Sequence, residues 1–425
     1  MDLKLSPRPA GGDAPQADCS PPPSGGRRPA GRLLSPRLRG EMPKAEGGPN
    51  LHNKGPTIET PTLTPAEARK LRFAAQGLSG PPATNAPDAA RVSGAVQSQD
   101  RLGELLAVRV RSRGLTAEDS RHARLRDRTL VRTWLQRGTL HTVPSGDLRW
   151  LLNLLGAEMD AKALRRRADL GITPESHARS IEAIRCVLSE RGPLTRRQIG
   201  DYLREHDLPH EGQTVPHLLR SVSLLGHVCF GPEVDGEVAH VLIDDWIAEL
   251  GELPSNPSAR LAETFYAAYG PATPADLRWW SGLPAAAARA AHQAIADQLV
   301  EVDIDGRAMW MLASAANQIA ETLARPDTVR LLGPFDPYIL GYAKRDLGVP
   351  EDQLKQVNAG GGMIRPTIIR DGVLIGTWQY RSTKTRITIT IRPFADLSEA
   401  AQAAIKREID DIARYLNRDA RWSID

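Results

Sequence analysis

Two stretches of the chain repeat one another, and this repeat constrains the fold more than any other feature. The segments RGPLTRRQIGDYL (residues 191–203) and YGPATPADLRWW (residues 269–280) share Gly-Pro-x-Thr. Thr195 and Thr273 each stand where a hydroxyl can cap the N-terminus of the following helix. Because the two threonines are 78 residues apart, the sequence predicts two successive units of one kind.

The surroundings of the two segments indicate which kind of unit it is. Each is preceded by an amphipathic helix, over residues 176–190 and 257–268, and followed by a further helix. An alternating stretch comes next, HVLIDDW (residues 240–246) in one copy and LVEVDIDGRAMWML (residues 299–312) in the other. Helix, capped helix, third helix and β-hairpin is the order of a winged-helix domain.

The segment before these copies follows a similar course. A helix is expected from Thr64 to about Gln76, because Thr64-Pro65-Ala66-Glu67 combines an N-cap hydroxyl, a first-turn proline and a capping-box glutamate. Residues 87–156 read as several helices ending in RGTLHTV, where the alternation of Thr139–Val143 predicts a short strand. A third unit of the same kind is therefore predicted here.

From about residue 327 the pattern becomes that of β-structure. TVRLLGPFD, GMIRPTIIRDGVLIGTW and the alternating TRITITIRPF predict strands, with an Asp-Gly turn at residues 371–372 and a closing helix at 398–416. The expected fold is α+β, with three tandem winged-helix domains and a small barrel-like β domain. The predicted domains are residues 64–170, 171–254, 255–324 and 325–425.

The first 54 residues differ from the rest of the chain. They hold ten prolines and eight glycines and lack a periodic apolar pattern, which predicts a disordered Pro/Gly/Arg-rich tail. A DNA tether, a plain linker and an upstream extension before a true start at Met42 are all open. Nine of their residues are basic and five acidic, so the remaining chain, with 46 of each, is formally neutral.

Composition excludes several other classes of protein. No apolar run approaches the roughly 18 to 20 residues of a membrane helix, and the N-terminus has no apolar signal core. The three cysteines are too far apart to suggest a thiolate zinc site, and His206 and His210 have Pro209 between them and no evident third ligand. We expect a cytoplasmic, nucleoid-associated monomer without a metal or cofactor.

Basic charge is concentrated in one segment. Nine arginines lie between Arg109 and Arg137, against only three acids. The forked guanidinium group suits phosphate oxygens, so double-stranded DNA is the predicted partner. A solvated helical face is the alternative.

Two glutamines precede this segment in GAVQSQD (residues 94–100). Residues at i and i+2 point the same way in an extended chain, so Gln97 and Gln99 could hold one target between two amides. Hydrogen bonds to local backbone are the simpler alternative. Asp100 is read either as an additional carboxylate or as the N-cap of the next helix.

Five segments carry a resemblance to a known family. They are LRFAAQGL (71–78), GAVQSQDRLGELLAVRVRSRGL (94–115), LVRTWLQRGTLHTVPSGDLRWLL (130–152), LLGPFDPYILGYAKRD (331–346) and IRPTIIRDGVLIGTW (364–378). In this order they resemble the AlkZ-like DNA glycosylases, bacterial winged-helix proteins that excise alkylated bases, some of which unhook interstrand crosslinks. The resemblance implies three winged-helix domains and a C-terminal β domain around a DNA-binding concavity.

The resemblance also implies a catalytic motif. The family's motif is glutamine, a usually apolar residue, then glutamine or aspartate, and Gln97-Ser98-Gln99 matches its outer positions. Ser98 is more polar than the usual middle residue. The implied activity is that of a monofunctional glycosylase for alkylpurines that are cationic through N7 or N3. In it, Gln97 and Gln99 position water and stabilise oxocarbenium-like charge.

Further residues are expected to contact DNA. Arg132 and Arg137 are candidates for phosphates, His141 and Thr139 for the lesion or its sugar, and a structural role for His141 is equally open. The remaining candidates are Arg109, Asp336, Tyr338 and Arg345. A buried Asp–Arg pair is the alternative for Asp336.

The main alternative function is a noncatalytic winged-helix regulator. It would explain the repeats and the basic segment but would have no need of Gln97 and Gln99. The NAGGGMIRP stretch (residues 358–366) lacks a following Gly-Lys-Ser/Thr and is read as a connector or a lesion-contacting loop.

Overall fold

Residues 60–360 and 362–425 are described by the structure, a computed structural model. The predicted tail at residues 1–54 lies outside this range. Within the described part of the chain, no helix has both the length and the apolar character needed to cross a membrane.

The first described elements are strand β1 (Thr62–Leu63) and helix α1 (Pro65–Ala75). The predicted capping box is confirmed. The Thr64 hydroxyl accepts from the Glu67 backbone N–H, and the Glu67 carboxylate accepts from the Thr64 backbone N–H. These bonds satisfy two backbone N–H groups at the start of the helix that would otherwise lack a hydrogen-bond partner.

The first repeat unit follows α1. Its elements are α2 (Ala86–Val92), β2 (Val96–Gln97), α3 (Arg101–Val110), α4 (Ala117–Leu125), β3 (Leu130–Trp134) and β4 (Leu140–Pro144). The strands form an antiparallel sheet in the order β2-β4-β3. Helices α5 (Ser145–Ala161) and α6 (Leu164–Asp169) lead away from it.

The second unit repeats this order. Its elements are α7 (Pro174–Arg191), β5 (Leu194–Thr195), α8 (Arg196–Glu205), α9 (Thr214–Leu224), β6 (Val228–Val234), β7 (Glu237–Leu242) and a short α10 (Ile243–Trp246). The sheet order is β5-β7-β6. Thr195 caps α8 as predicted.

The third unit has the same order, with its short strand reduced to one bridge between Ala272 and Trp310. Its elements are α11 (Pro257–Tyr269), α12 (Pro274–Ser281), α13 (Ala285–Gln293), β8 (Leu299–Ile304), β9 (Arg307–Leu312), α14 (Ala313–Ala316) and α15 (Ile319–Leu323). Thr273 caps α12 as predicted. Strand β1 adds to β8 in parallel, and α1 residues share a core with β8 and β9. Helix α1 therefore packs with the third unit, although it precedes the first.

The C-terminal segment forms an open five-stranded sheet. Its elements are β10 (Val329–Leu332), α16 (Pro337–Leu340), α17 (Leu354–Val357), β11 (Asn358–Gly360), β12 (Met363–Ile364), β13 (Thr367–Arg370), β14 (Val373–Ser382), β15 (Arg386–Pro393), α18 (Glu399–Leu416) and β16 (Asp419–Ile424). The sheet order is β10-β13-β14-β15-β16, so β10 and β16 are its edges. The predicted α+β class is confirmed. The C-terminal domain was expected to be barrel-like, whereas its strand order is that of an open sheet.

Two apolar cores bring distant parts of the chain together. One joins β3, β4 and α5 of the first unit to α11 and α12 of the third, through residues such as Leu155, Phe265 and Trp280. The other packs α18 and the C-terminal sheet around Trp378 and includes Leu106 of α3. Helix α3 therefore links the first unit to the C-terminal sheet.

Candidate active site

The first glutamine of the motif lies on the short strand of the first unit. Gln97 ends β2 and is the register partner of His141 on β4. The next residue continues the pairing, since the Ser98 N–H donates to the Leu140 carbonyl at 2.8 Å. Gln97 is 8% exposed, whereas Gln99 lies at the surface. The structure therefore gives the two amides different surroundings.

The other two units place a threonine at the equivalent strand position. Thr195 ends β5 and pairs with Ala239 in the second unit, and Thr273 follows the Ala272–Trp310 bridge in the third. Both threonines cap the next helix, whereas Asp100 is the cap in the first unit. The amide of Gln97 therefore does not have the capping role of its two counterparts.

A guanidinium group fixes the orientation of Gln97. Arg137 Nη2 donates to Gln97 Oε1 at 2.6 Å, and Arg137 Nη1 donates to the Trp280 carbonyl at 2.7 Å. Because arginine only donates, the oxygen of the amide must face it. Arg137 has φ of 55°, a strained value for a non-glycine residue. The turn after β3 is thus held in the conformation that brings Arg137 to Gln97.

These side chains surround a small cavity between the first and third units. It is lined by Gln97, Gln136, Arg137, His141, Tyr269 and Trp280, and is bordered by residues of and next to α16. Its volume is about 10 Å³. This is close to what one water molecule requires, and far below the volume of a nucleobase.

His141 is a neutral member of the cavity wall. Burial, followed by the nearby charge of Arg137, lowers the pKa of His141 to about 3. Its Nδ1 lies 3.1 Å from the Thr139 carbonyl, which can only accept. The proton is therefore on Nδ1, and Nε2 is left as an acceptor.

Two further side chains hold the backbone in and after the motif. Arg132, predicted to contact phosphate, is buried and donates to the Ser98 carbonyl at 2.8 Å. Its guanidinium lies over the Phe230 ring of the second unit, so Arg132 supports the motif instead of reaching DNA. Asp100 caps α3, since its carboxylate accepts from the Gly103 N–H at 2.6 Å.

Arg109 does not reach the surface either. Its side chain is 1% exposed and pairs with Glu408 of α18 at 2.9 Å, and it also donates to the Leu331 carbonyl. The prediction of a DNA contact is corrected to an ion pair that joins α3 to the C-terminal sheet. The arginine segment is not a continuous phosphate-facing stripe, because only three of its nine arginines are exposed: Arg113, Arg121 and Arg126.

Asp336 and Tyr338 are also structural. Asp336 accepts two bonds from Arg111, at 2.8 and 2.9 Å, with both side chains fully buried. The Tyr338 hydroxyl donates to the Gly372 carbonyl at 2.7 Å, and burial raises the pKa of Tyr338. Neither side chain can meet a duplex, and the alternative of a buried Asp–Arg pair is the one observed.

Two predicted residues remain beside the cavity. Thr139 is partly exposed, and its hydroxyl donates to the Gln136 carbonyl at 3.1 Å. Arg345 is partly buried and donates to Asn358 of β11. Burial lowers the pKa of Arg345, and its charge acts on Arg137. Among the ion pairs of the described residues, neither Arg137 nor Arg345 has a carboxylate partner, so two cations lie close together without an anion.

A second concave surface lies on the second unit. A depression of about 380 Å³ between α8 and the start of α9 is lined by Arg196, Arg197, Arg204 and His210. Asp201 lies there too and pairs with Arg204 at 3.0 Å. Arg196 and Arg197 are exposed, so the surface has an excess of positive charge. In residues 60–360 and 362–425, no three His, Cys, Asp or Glu side chains are grouped as a metal site would need.

Sequence reasoning missed several parts of the cavity wall. Gln136, Tyr269 and Trp280 were not predicted, because the latter two come from a different repeat unit. Gln136 carried one signal, being an amide that directly follows Trp134-Leu135 and precedes the Arg137-Gly138 turn.

Comparisons with known proteins agree with this architecture. The family described as DNA glycosylase AlkZ-like matches residues 90–415. An interstrand DNA cross-link repair glycosylase of Streptomyces sahachiroi is 28% identical over 303 residues, which is 68% of this chain and 79% of that protein. The solved structure of Streptomyces sahachiroi DNA glycosylase AlkZ superposes with a TM-score of 0.73 at 24% identity, covering 86% of this chain and all of that one. Since the family match extends over most of the sequence, the chain belongs to the AlkZ-like family of DNA glycosylases.

Proposed function

We propose that this protein is a monofunctional DNA glycosylase for purines made cationic by alkylation at N7 or N3, and that it also unhooks interstrand crosslinks built on such purines. Family membership supports the reaction class, and the crosslink-repair activity of the Streptomyces relative supports the crosslink. The observation that carries the proposal is Gln97, a buried amide held by Arg137 at the edge of a cavity that fits one water.

The leaving group explains why neutral amides are sufficient. A cationic alkylpurine takes the electron pair of the glycosidic bond and departs as a neutral base, so it needs no acid. What the enzyme must supply is a positioned water and a polar surface for the oxocarbenium-like sugar.

Gln97 has the geometry for the first of these tasks. An amide oxygen has two lone pairs, and Arg137 uses one of them. The other can accept a hydrogen from water, which turns a lone pair of the water oxygen toward the anomeric carbon. Gln99, exposed two residues later, is proposed to meet the sugar from the duplex side.

The two cations beside the cavity are proposed to bind the DNA backbone. A buried charge without a counterion is costly unless a ligand supplies one. Phosphates next to the target nucleotide would do so for Arg137 and Arg345. Thr139 and His141 line or flank the same site and are proposed to approach the sugar.

We further propose that the three repeated units are winged-helix domains that bind double-stranded DNA together. Each has the order helix, strand, helix, helix and hairpin of this domain, with the strand reduced to one bridge in the third unit. The basic depression formed by Arg196 and Arg197 is proposed to contact phosphates on the second unit.

Base excision on defined duplexes tests the proposal. Duplexes containing 7-methylguanine, or an N7-linked crosslink, are incubated with protein and then treated with hot alkali. Strand breaks at the lesion are expected, and borohydride should trap no covalent protein–DNA adduct. Tight binding without breaks would favour a noncatalytic regulator, and a trapped adduct would contradict the direct attack of water.

A further inference from the structure

A second carboxamide, besides that of Gln97, lies in the wall of the same cavity. Gln136 is 0% exposed and begins the turn between β3 and β4. Its backbone carbonyl has a structural task, since it accepts from the N–H and the hydroxyl of Thr139. Gln136 is part of the wall of the cavity that Gln97 and His141 also line.

Neither polar atom of this side chain has a hydrogen-bond partner within the described part of the protein. Leaving a buried polar group unpaired costs about 1–3 kcal/mol. Leucine or methionine would fill the same volume without that cost. An unpaired amide at this position therefore indicates a ligand that the amide serves.

Another glutamine of the chain provides a contrast. Gln76 is also 0% exposed. Its Nε2 donates to the Ala268 carbonyl at 2.8 Å, and its Oε1 accepts from Arg111 at 3.0 Å. Gln76 thus has the bonding of a structural glutamine, and Gln136 does not.

The size of the cavity limits what Gln136 can bind. About 10 Å³ is too small for a base or a sugar and close to the requirement of a single water. A buried water needs two to four polar partners. Gln97 Oε1 and the unprotonated Nε2 of His141 provide acceptors for the two hydrogens of the water, and Gln136 Nε2 can donate to one lone pair of its oxygen, which leaves the other lone pair for C1′.

We propose that Gln136, together with Gln97 and His141, binds the water that attacks the anomeric carbon. This inference rests on the proposed function. In the reaction, the bond between C1′ and the purine nitrogen breaks, and its electron pair neutralises the cationic purine. The water oxygen then bonds to C1′ and releases one proton through its acceptors to solvent.

The test replaces the amide with apolar groups of similar size. In Gln136→Leu, and in Gln136→Met as a second variant, the single-turnover rate of 7-methylguanine excision at saturating protein should fall at least about tenfold. The Kd for duplex should stay within about twofold, and Tm should be unchanged or higher, because an unpaired buried amide has been removed. Gln76→Leu, the matched control, should lower Tm.

The outcomes are distinguishable from failure of the proposed function. If the wild-type protein excises 7-methylguanine, Gln97→Ala does not, and both Gln136 variants retain the wild-type rate, the role of Gln136 is refuted. A rate that falls only in proportion to duplex affinity would also refute it. If the wild-type protein excises nothing, the proposed function itself is wrong.

Discussion

At the scale of single residues, the site uses groups that do not change charge near neutral pH. The titratable side chains lining the cavity are His141, Arg137 and Tyr269. Burial lowers the pKa of His141 to about 3 and raises the pKa of Tyr269 to about 12. Arg137 stays charged because an arginine does not titrate in this range. The proposed chemistry therefore depends on geometry and not on a proton poised near pH 7.

This leads to a prediction about rate and pH. The single-turnover excision rate for 7-methylguanine should change less than about twofold between pH 6 and 8.5, because no cavity group titrates there. It is measured with enzyme in excess, so that product release does not contribute. A bell-shaped profile with a pKa near 7 would reveal an acid or base that this account lacks.

Individual residues differ in how well their roles could be predicted from the sequence. Gln97 and Gln99 were identified because the family resemblance gave a weak motif a chemical meaning. Arg109 was misread because its partner, Glu408, lies 299 residues away. No local pattern tells a phosphate-binding arginine from one that pairs inside the protein. Burial decides, and burial depends on tertiary contacts.

At the scale of elements, a buried ion pair connects α3 to the start of α16. Arg111 and Asp336 are both fully buried and share two hydrogen bonds. Removing one partner of such a pair leaves the other charge buried without a partner, which lowers the free energy of unfolding by about 3–5 kcal/mol.

Asp336→Asn should therefore lower the free energy of unfolding by roughly this amount. Urea denaturation provides the measurement, and Asp352→Asn, an exposed aspartate, is the control. The double variant Arg111→Met/Asp336→Leu should be more stable than Asp336→Asn, because neither charge is left unpaired. Duplex affinity reduced by Asp336→Asn in fully folded protein, with stability unchanged, would instead support a DNA contact.

The hairpin strands β4 and β7 each contain one buried histidine. Burial lowers the pKa of His141 to about 3 and that of His240 to about 4, from 6.5. Below pH 6.5 the unfolded chain takes up protons that the folded protein excludes. Folding stability is therefore complete above pH 6.5 and decreases as the pH falls toward 4.

Replacing His240 with glutamine should reduce this acid sensitivity. Each histidine contributes roughly 1.4 kcal/mol per pH unit to the slope of the free energy of unfolding against pH. His240→Gln should therefore remove about half of the slope that the two histidines produce together. Urea denaturation at several pH values between 6.5 and 4.5 measures the slope. Identical slopes for wild type and variant would mean that His240 is protonated in the folded protein.

Elements whose ends are determined by neighbouring residues in the sequence were predicted well. Thr64, Thr195 and Thr273 cap their helices as expected, because capping depends on a few neighbouring residues. Strand β16 was missed, since it pairs in parallel with β15 only after α18 has intervened. Hairpin β11–β12 was read as a connector, because its glycines obscure the strand pattern.

At the scale of the whole molecule, the first unit, the third unit and the C-terminal segment around α16 meet at one small cavity. Its wall takes residues from the first unit, the third unit and α16. The basic depression on the second unit is a separate feature. Phosphate binding by the second unit is therefore proposed to lie outside the proposed catalytic cavity, and the two functions should respond separately to mutation.

The double variant Arg196→Ala/Arg197→Ala tests this separation. Each phosphate contact contributes about 0.9 to the slope of log affinity against log salt, so losing both should reduce the slope by roughly 1.8. Duplex affinity is measured from 50 to 200 mM salt. The excision rate at saturating protein should not change, and Arg185→Ala, an exposed arginine of α7, is the control. An unchanged salt slope would remove the second unit from the DNA interface.

The most direct test of the central claim compares glutamine variants of the motif. Single-turnover excision of 7-methylguanine and duplex Kd are measured for wild type, Gln97→Ala and Gln99→Ala. Gln298→Ala, which changes an exposed glutamine of the third unit, is the control. Each motif variant should lose roughly a hundredfold in rate, with the Kd nearly unchanged. Wild-type rates in both variants, or losses of rate matched by equal losses of affinity, would contradict the claim that two neutral amides direct water to the sugar.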